Sequence, residues 1–336
     1  MYRIVRRTLL ATALAALSPL VQAQQPLVIK FSYTIAPDTP KGKATQRFKE
    51  LVEERTKGAV KVEVYPNASL FKDKEEIEAL QVGAVQMLAP AVSKFGPMGL
   101  REFEAFDLPY LFDNEEELKA VLEGPIGNSL LQRLQTKGVT GLAYWTAGFR
   151  GLSANKALKT PADARGLKFR IPSSKVLDSE IRAIGGMPQV MASSEVYQGL
   201  QTKVVDGTEA TASNLYTQKL YEVQSHFTLT EHSALIYAVI VNKAFWDGLP
   251  APTRSVLETA MKEATAFGNG LAKKENEDAI AAMRKTGKTA VYQPTVQERA
   301  AWKVDWVKVH KEHSAKIGPD LIQSIYKVTG FDPAGK

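Results

Sequence analysis

The chain has 336 residues, no cysteine and four histidines, a length that suggests about two domains of roughly 150 residues each. Its composition, 44% hydrophobic, 24% charged and 8% aromatic, excludes a disordered, collagen-like or polytopic membrane protein. Without cysteine there is no disulfide scaffold, thiol nucleophile, iron–sulfur cluster or cysteine-ligated zinc.

Met1–Arg7 carries Arg3, Arg6 and Arg7 and no acid, Thr8–Leu20 is almost wholly apolar, and Val21-Gln22-Ala23 places small residues at cleavage spacing. That order is expected of a secretory signal peptide cut after Ala23, and the apolar run falls short of the about 20 residues a membrane span needs. A basic leader alone explains Arg6-Arg7, ahead of a twin-arginine signal. Loss of residues 1–23 leaves 40 of the 43 Lys and Arg against 36 Asp and Glu, a net +4 in place of +7. Charges are interspersed with no block of one sign, so no nucleic-acid partner is expected.

Further along, strands and helices alternate. Leu27–Tyr33 and Val60–Tyr65 read as strands, and Gly42–Arg55 between them has helical periodicity, with Thr39 as a cap and Pro40 in the first turn. Lys72–Gln81 reads as a second helix and Ser173–Ile184 as another. Val85–Ala89, Val139–Trp145, Lys168–Ile171, Val190–Ala192 and Leu235–Val241 continue the strands. The order predicts an α/β fold with mainly parallel sheets. Pro250–Lys285 breaks the rhythm with a helical pattern of far more than the usual 8–20 residues, interrupted by Gly268 and Gly270. A helix passing from one domain to the other, bent at the glycines, accounts for it.

Enzyme signatures fail. There is no HExxH, and His310 and His313, one turn apart beside Lys308 and Lys311, read as a solvated face before they read as a metal pair. Gly287-Lys288-Thr289 lacks the glycine of a phosphate loop, since position 282 is alanine. Gly151-Leu152-Ser153-Ala154-Asn155 lacks the final glycine of a nucleophile elbow. Asp206 and Glu209 read as turn and capping residues before they read as catalytic carboxylates. No nucleophile, base and oxyanion hole assemble, so no enzyme, cofactor or metal site is expected.

The informative stretch is Gly148–Asn214. Arg150 is expected at the tip of a β-element, and Arg170 ends a strand just before a helix that starts near Ser173 or Ser174. An arginine beside a helix N-terminus can grip a carboxylate through two parallel hydrogen bonds. On residue chemistry alone, a surface arginine paired to an acid is the favoured explanation.

The run Thr160-Pro161-Ala162-Asp163-Ala164-Arg165-Gly166-Leu167-Lys168-Phe169-Arg170-Ile171-Pro172 resembles the arginine motif of the solute-binding proteins of TRAP transporters, the DctP family. The stretch from Ser194 to Glu209 resembles it too. So do Pro109-Tyr110-Leu111-Phe112, Tyr216–Val223 and Val241–Trp246, and the likeness covers nearly all of the chain after Ala23. It implies a two-domain periplasmic-binding-protein-like clamshell with a long helix spanning both domains. Domain I would comprise 24–147 plus 236–270, and domain II 148–235 plus 271–336. It further implies a periplasmic, monomeric binding protein that performs no chemistry and passes a small organic acid to integral-membrane permease subunits.

In that resemblance Arg170 holds the ligand carboxylate and Arg150 assists. Lys41, in a Pro-Lys-Gly run, would take a second carboxylate or lie in solvent. Relatives carry asparagine where this chain has Ala210, so a ligand hydrogen bond is missing or supplied by Asn214. Ser193 stands where some relatives have a pocket aromatic. Lys94, Phe149 and Tyr237 fall near ligand-lining positions, Trp145 is expected in the core, and Asp206-Gly207 is expected to turn the pocket floor. A C4-dicarboxylate (malate, succinate or fumarate) is the leading ligand, ahead of 2-oxo, aromatic or sugar monocarboxylates. A ligand-presenting partner of a membrane sensor is the further alternative.

Overall fold

The computed structural model describes residues 25–333, so the leader expected over Met1–Ala23 lies outside the described residues. The strands in chain order are β1 (Leu27–Ser32), β2 (Val60–Tyr65), β3 (Met87–Leu88), β4 (Val139–Phe149), β5 (Gly151–Ala154), β6 (Lys168–Ile171), β7 (Met187–Val190), β8 (Gly207–Ala210), β9 (His226–Thr228), β10 (Ala234–Asn242) and β11 (Ala290–Tyr292). They form a five-stranded sheet ordered β2-β1-β3-β10-β4 and a six-stranded sheet ordered β11-β9-β5-β8-β6-β7. Each sheet with its helices is one lobe of a clamshell.

The sheets are mixed, not mainly parallel as the α/β rhythm predicts. β1 pairs β2 and β3 in parallel, but β10 runs antiparallel to β3 and β4. β5 likewise runs antiparallel to β8 and β9. The reason lies in the crossings. The chain leaves the first lobe along β4 and enters β5 through Arg150, then returns from β9 into β10, so the outward and homeward strands lie side by side in opposite senses.

A third passage is the helix Ala251–Thr286, which runs unbroken through both glycines. Gly268 serves packing: a side chain there would meet the Ala44 methyl at 2.5 Å. Its absence lets the long helix lie close against the helix Pro40–Arg55, whose N-terminus is capped by the Thr39 side chain accepting from Gly42 N at 3.2 Å. The C-terminal helices then strap the lobes together. Trp302 and Trp306 fill the core of the second, while Ile322, Ile325 and Tyr326 join the core beneath the first sheet.

Two elements differ locally from the sequence pattern. The helix expected over Lys72–Gln81 is confined to Glu76–Gln81, because Asp73 is drawn into ion-pair and hydrogen-bond contacts outside any helix. The strand expected at Val190–Ala192 lies earlier, at Met187–Val190, and contains Pro188. Proline reads against a strand, yet β7 is an edge strand where its missing N–H is tolerated. His310 and His313 form no solvated face: both are buried. The His310 ring bonds Tyr326 Oη and the Pro109 carbonyl, and His313 Nε2 bonds Ser179 Oγ. Among the described residues no helix is long and apolar enough to cross a membrane.

Candidate functional site

Arg170 is the third residue of β6. Phe169 and Ile171 on either side turn into the core, and strand alternation leaves Arg170 on the other face. There it forms part of the wall of a cavity of about 80 Å³ enclosed by both lobes. Thr34, Asp73, Lys94 and Tyr237 come from the first lobe, and Glu209, Ala210 and Asn214 from the second. Arg170 Nε donates to the Met191 carbonyl at 2.9 Å, which sets the plane of the guanidinium. Among the described residues its two terminal nitrogens have no hydrogen-bond partner. Burial pushes its pKa down, against the pull of Asp73 and Glu209. It is a half-buried, under-compensated cation with its fork free, which is the condition for binding an anion bidentately.

Arg150 sits at the crossing between β4 and β5, deeper in the cleft. Its backbone N–H donates to Ser233 O at 2.8 Å. Its side chain is almost fully buried and lies between Asp107 and Glu209, each at 3.4 Å, while Nη1 donates to Ser233 Oγ at 3.1 Å. Burial would lower its pKa, but Glu209 and Asp107 outweigh that and raise it. Arg150 lines the cavity with its charge already shared by two carboxylates, unlike Arg170. The helix that follows β6 does not help either cation. Its N-cap Ser174 donates to Asp107 Oδ2 at 3.0 Å, and Ser174 is not part of the cavity wall.

Around Arg150 lie Asp107, Glu180 and His232. Burial pushes Asp107 up to about 6 against the Arg150 charge, raises Glu180 well above the carboxylate range, and pushes His232 down to about 3. Ligating atoms of Glu180, Glu209 and His232 lie within 4.8 Å of one another. Here the compensating charge is the Arg150 guanidinium.

The other predicted positions divide. Tyr237, Asn214, Lys94 and Ala210 border the cavity. Asn214 Nδ2 donates to Tyr237 Oη at 3.1 Å across the lobes, and Asn214 Oδ1 is buried without a partner. Burial raises the Tyr237 hydroxyl to about 12. Lys94 is not a free cation, for its amine donates to both Asp73 and Glu76. Lys41 lies behind the wall: Nζ stands 3.7 Å from the Tyr237 ring centroid and donates to the Ala89 carbonyl at 3.0 Å. It is therefore not solvent-exposed and does not border the cavity, and burial pushes it down to about 7 despite the opposing pull of Glu76.

Phe149 lines a separate hinge-side groove with Asn276 and Arg299, because strand alternation at the crossing puts it on the face opposite Arg150. Trp145 is core, stacked on Phe31 at 5.9 Å. Asp206-Gly207 makes no pocket floor: Asp206 Oδ2 accepts from Lys168 N at 2.8 Å. Gly207 lies within β8, where any side chain would meet Ser153 O at 2.1 Å. Ser193 does border the cavity, through a backbone N–H that donates to Asp73.

Asp73 and the Glu209–Arg150 pair are what the sequence reading missed. Glu209 lay inside a quoted motif and next to Ala210, so its place beside the cavity was available. Asp73 carried no such signal, since its partners are distant in sequence.

The family model for bacterial extracellular solute-binding protein, family 7 (DctP) matches residues 31–317. The chain is 55% identical over 319 residues to the C4-dicarboxylate-binding periplasmic protein DctP of Rhodobacter capsulatus, covering 95% of this chain and 96% of that one. It is similar to the solved TRAP periplasmic solute-binding protein of Shewanella oneidensis with bound succinate, at 38% identity and TM-score 0.88 over 90% of this chain and 99% of the other. The Pseudomonas aeruginosa protein with bound L-malate gives 42% identity and TM-score 0.83 over 85% and 100%. With two lobes closing on an arginine-walled cavity, this chain belongs to the DctP family of extracellular solute-binding proteins.

Proposed function

We propose that this chain captures a C4-dicarboxylate, malate, succinate or fumarate, in the cleft and delivers it to integral-membrane TRAP permease subunits. The observation that carries this is the unpaired fork of Arg170 in an enclosed cavity. One ligand carboxylate replaces the missing partners of that fork, and lobe closure removes the ion pair from water, where it strengthens. Within the described residues the lobes comprise 25–147 plus 236–270 and 148–235 plus 271–333, except that Ile322, Ile325 and Tyr326 near the C-terminal end pack into the core of the first lobe. The chain works in the periplasm after cleavage near Ala23, as a monomer, and transforms nothing.

Arg150 acts on the ligand from the side, with most of its charge directed to Asp107 and Glu209. Asn214 supplies the polar contact that Ala210 cannot make. Lys41 influences the site through the Tyr237 ring that it underlies. Phe149 contributes to the hinge-side groove.

Ala210 supports a second reading, in which the remote end of the ligand is not a carboxylate. The test is a thermal-shift screen of residues 24–336, purged of carried-over ligand, against C4-dicarboxylates, 2-oxo acids, sugar acids and aromatic acids. A ligand at about 100 times its Kd adds roughly 2.7 kcal/mol of stability. Stabilisation by succinate or malate alone supports the dicarboxylate. Stabilisation by monocarboxylates alone transfers the assignment to them, and no response to any acid removes it.

A further inference from the structure

Asp73 occupies a place that capture by Arg170 does not require. It lies in the turn before the helix Glu76–Gln81 of the first lobe. On its own lobe the Lys94 amine donates to it and to Glu76. From the other lobe the Ser193 backbone N–H donates to Asp73 Oδ2 at 2.6 Å. Asp73, Lys94, Arg170 and Pro172 border both the inner cavity and a wider groove of about 390 Å³ beyond it. The Asp73–Ser193 bond thus stands at the partition between the enclosed space and the outer groove.

Its leverage differs from that of the contacts near the hinge. Asp107 with Arg150 and Ser174 bonds across the lobes beside the crossing strands, where a rotation of one lobe against the other displaces atoms least. At the lip the same rotation separates groups furthest, so a bond there must break for the cleft to open. The bond is charge-assisted, which makes it stronger than a neutral one. Burial would raise the Asp73 carboxyl, but Lys94, the Ser193 N–H and Arg170 hold it below its usual range.

We infer that Asp73 is a positioning residue for capture: anchored by Lys94 on one lobe and gripping the Ser193 amide of the other, it latches the lip of the cleft and sets how long the closed form lasts. As a statement about bound ligand this rests on the capture proposed above. As a statement about the lobes it does not.

Succinate binding followed by stopped flow reads the first part. Asp73→Ala is expected to speed dissociation about tenfold or more while association stays within about threefold, because loss of a contact acts mainly on the off-rate. Asp73→Asn keeps one oxygen for the Ser193 amide but turns its NH2 toward the Lys94 amine and loses the charge, so its dissociation rate is expected between that of Asp73→Ala and that of the unaltered chain. Ser193→Pro removes the donor instead. Ser193 opens a short 3-10 turn after Ala192 at φ −63° and ψ 148°, a position that accepts proline. Its effect is expected to match that of Asp73→Ala, and the double variant to be no worse than either alone.

Spin labels at Val82→Cys and Val204→Cys, exposed positions on opposite lobes in a chain without cysteine, read the second part without ligand. Asp73→Ala and Ser193→Pro are expected to deplete the short-distance population. Dissociation unchanged in both variants, a loss confined to association, or unchanged label distances overturns the latch. If succinate does not bind the unaltered chain, the dicarboxylate assignment is what fails, and the ligand-free distances decide the latch alone.

Discussion

The two arginines of the cleft sit in one cavity wall and face opposite circumstances. Arg150 is buried at the hinge between Asp107 and Glu209, with its backbone tied to Ser233. Arg170 is half-buried on the second lobe, held by one bond to the Met191 carbonyl, with its fork unpaired. The first has its counter-charge supplied by the chain, and the second has no hydrogen-bonded carboxylate on its fork among the described residues. On the proposed reading, identical side chains serve stability at one place and capture at the other, and the difference lies in how closely the fold has brought carboxylates to each.

Substitution should separate these roles. Arg170→Ala is expected to abolish organic-acid binding, at about 3–5 kcal/mol for a buried carboxylate left unpaired, while the ligand-free melting temperature barely moves. Titration calorimetry and thermal melts measure the two halves. Unchanged affinity would remove Arg170 from the site. Arg170→Lys should also weaken binding, since an ammonium cannot reproduce the planar fork.

Arg150→Met should show the reverse emphasis. It strands Asp107 and Glu209 in the interior, so folding stability is expected to fall by up to about 3–5 kcal/mol, reduced where Asp107 takes up a proton. Urea unfolding at pH 7 and at pH 5 tests this. The loss should be smaller at pH 5, below the value of about 6 to which Asp107 is raised. An equal loss at both would show that the Asp107 charge does not matter there.

Lys41 tests a titration in place of a pairing. Burial pushes its amine down to about 7, so from about 10 down towards 7 the folded chain binds fewer protons than the unfolded one. Stability from this group is therefore present at high pH and lost as pH falls through that window. Lys41→Met should flatten the slope, read from urea midpoints at pH 7 and 10. A slope unchanged by the substitution would assign it to other groups.

Much of the fold was legible because it depends on local pattern. The Thr39 cap, the β6 alternation around Arg170 and the 36-residue helix Ala251–Thr286 each follow from residues near one another in sequence. The antiparallel crossings were not legible, because strand direction depends on which lobe the chain is returning to. The placement of Pro188 within a strand was not legible for a related reason: whether a proline is tolerated depends on β7 being an edge strand.

The cavity shows the same division. Arg170, Asn214 and Tyr237 could be nominated from their residue types and motifs, but their partners could not. Residue type alone determined a cysteine-free α/β chain with an arginine at the end of a strand, since those features arise from composition and short-range periodicity. Only the tertiary structure decided that Arg150 is paired, that Lys41 stands behind Tyr237, and that Asp73 meets Ser193 from 120 residues away. Charge compensation and burial are properties of through-space neighbours, and folding alone selects which distant carboxylates, amides and rings become neighbours.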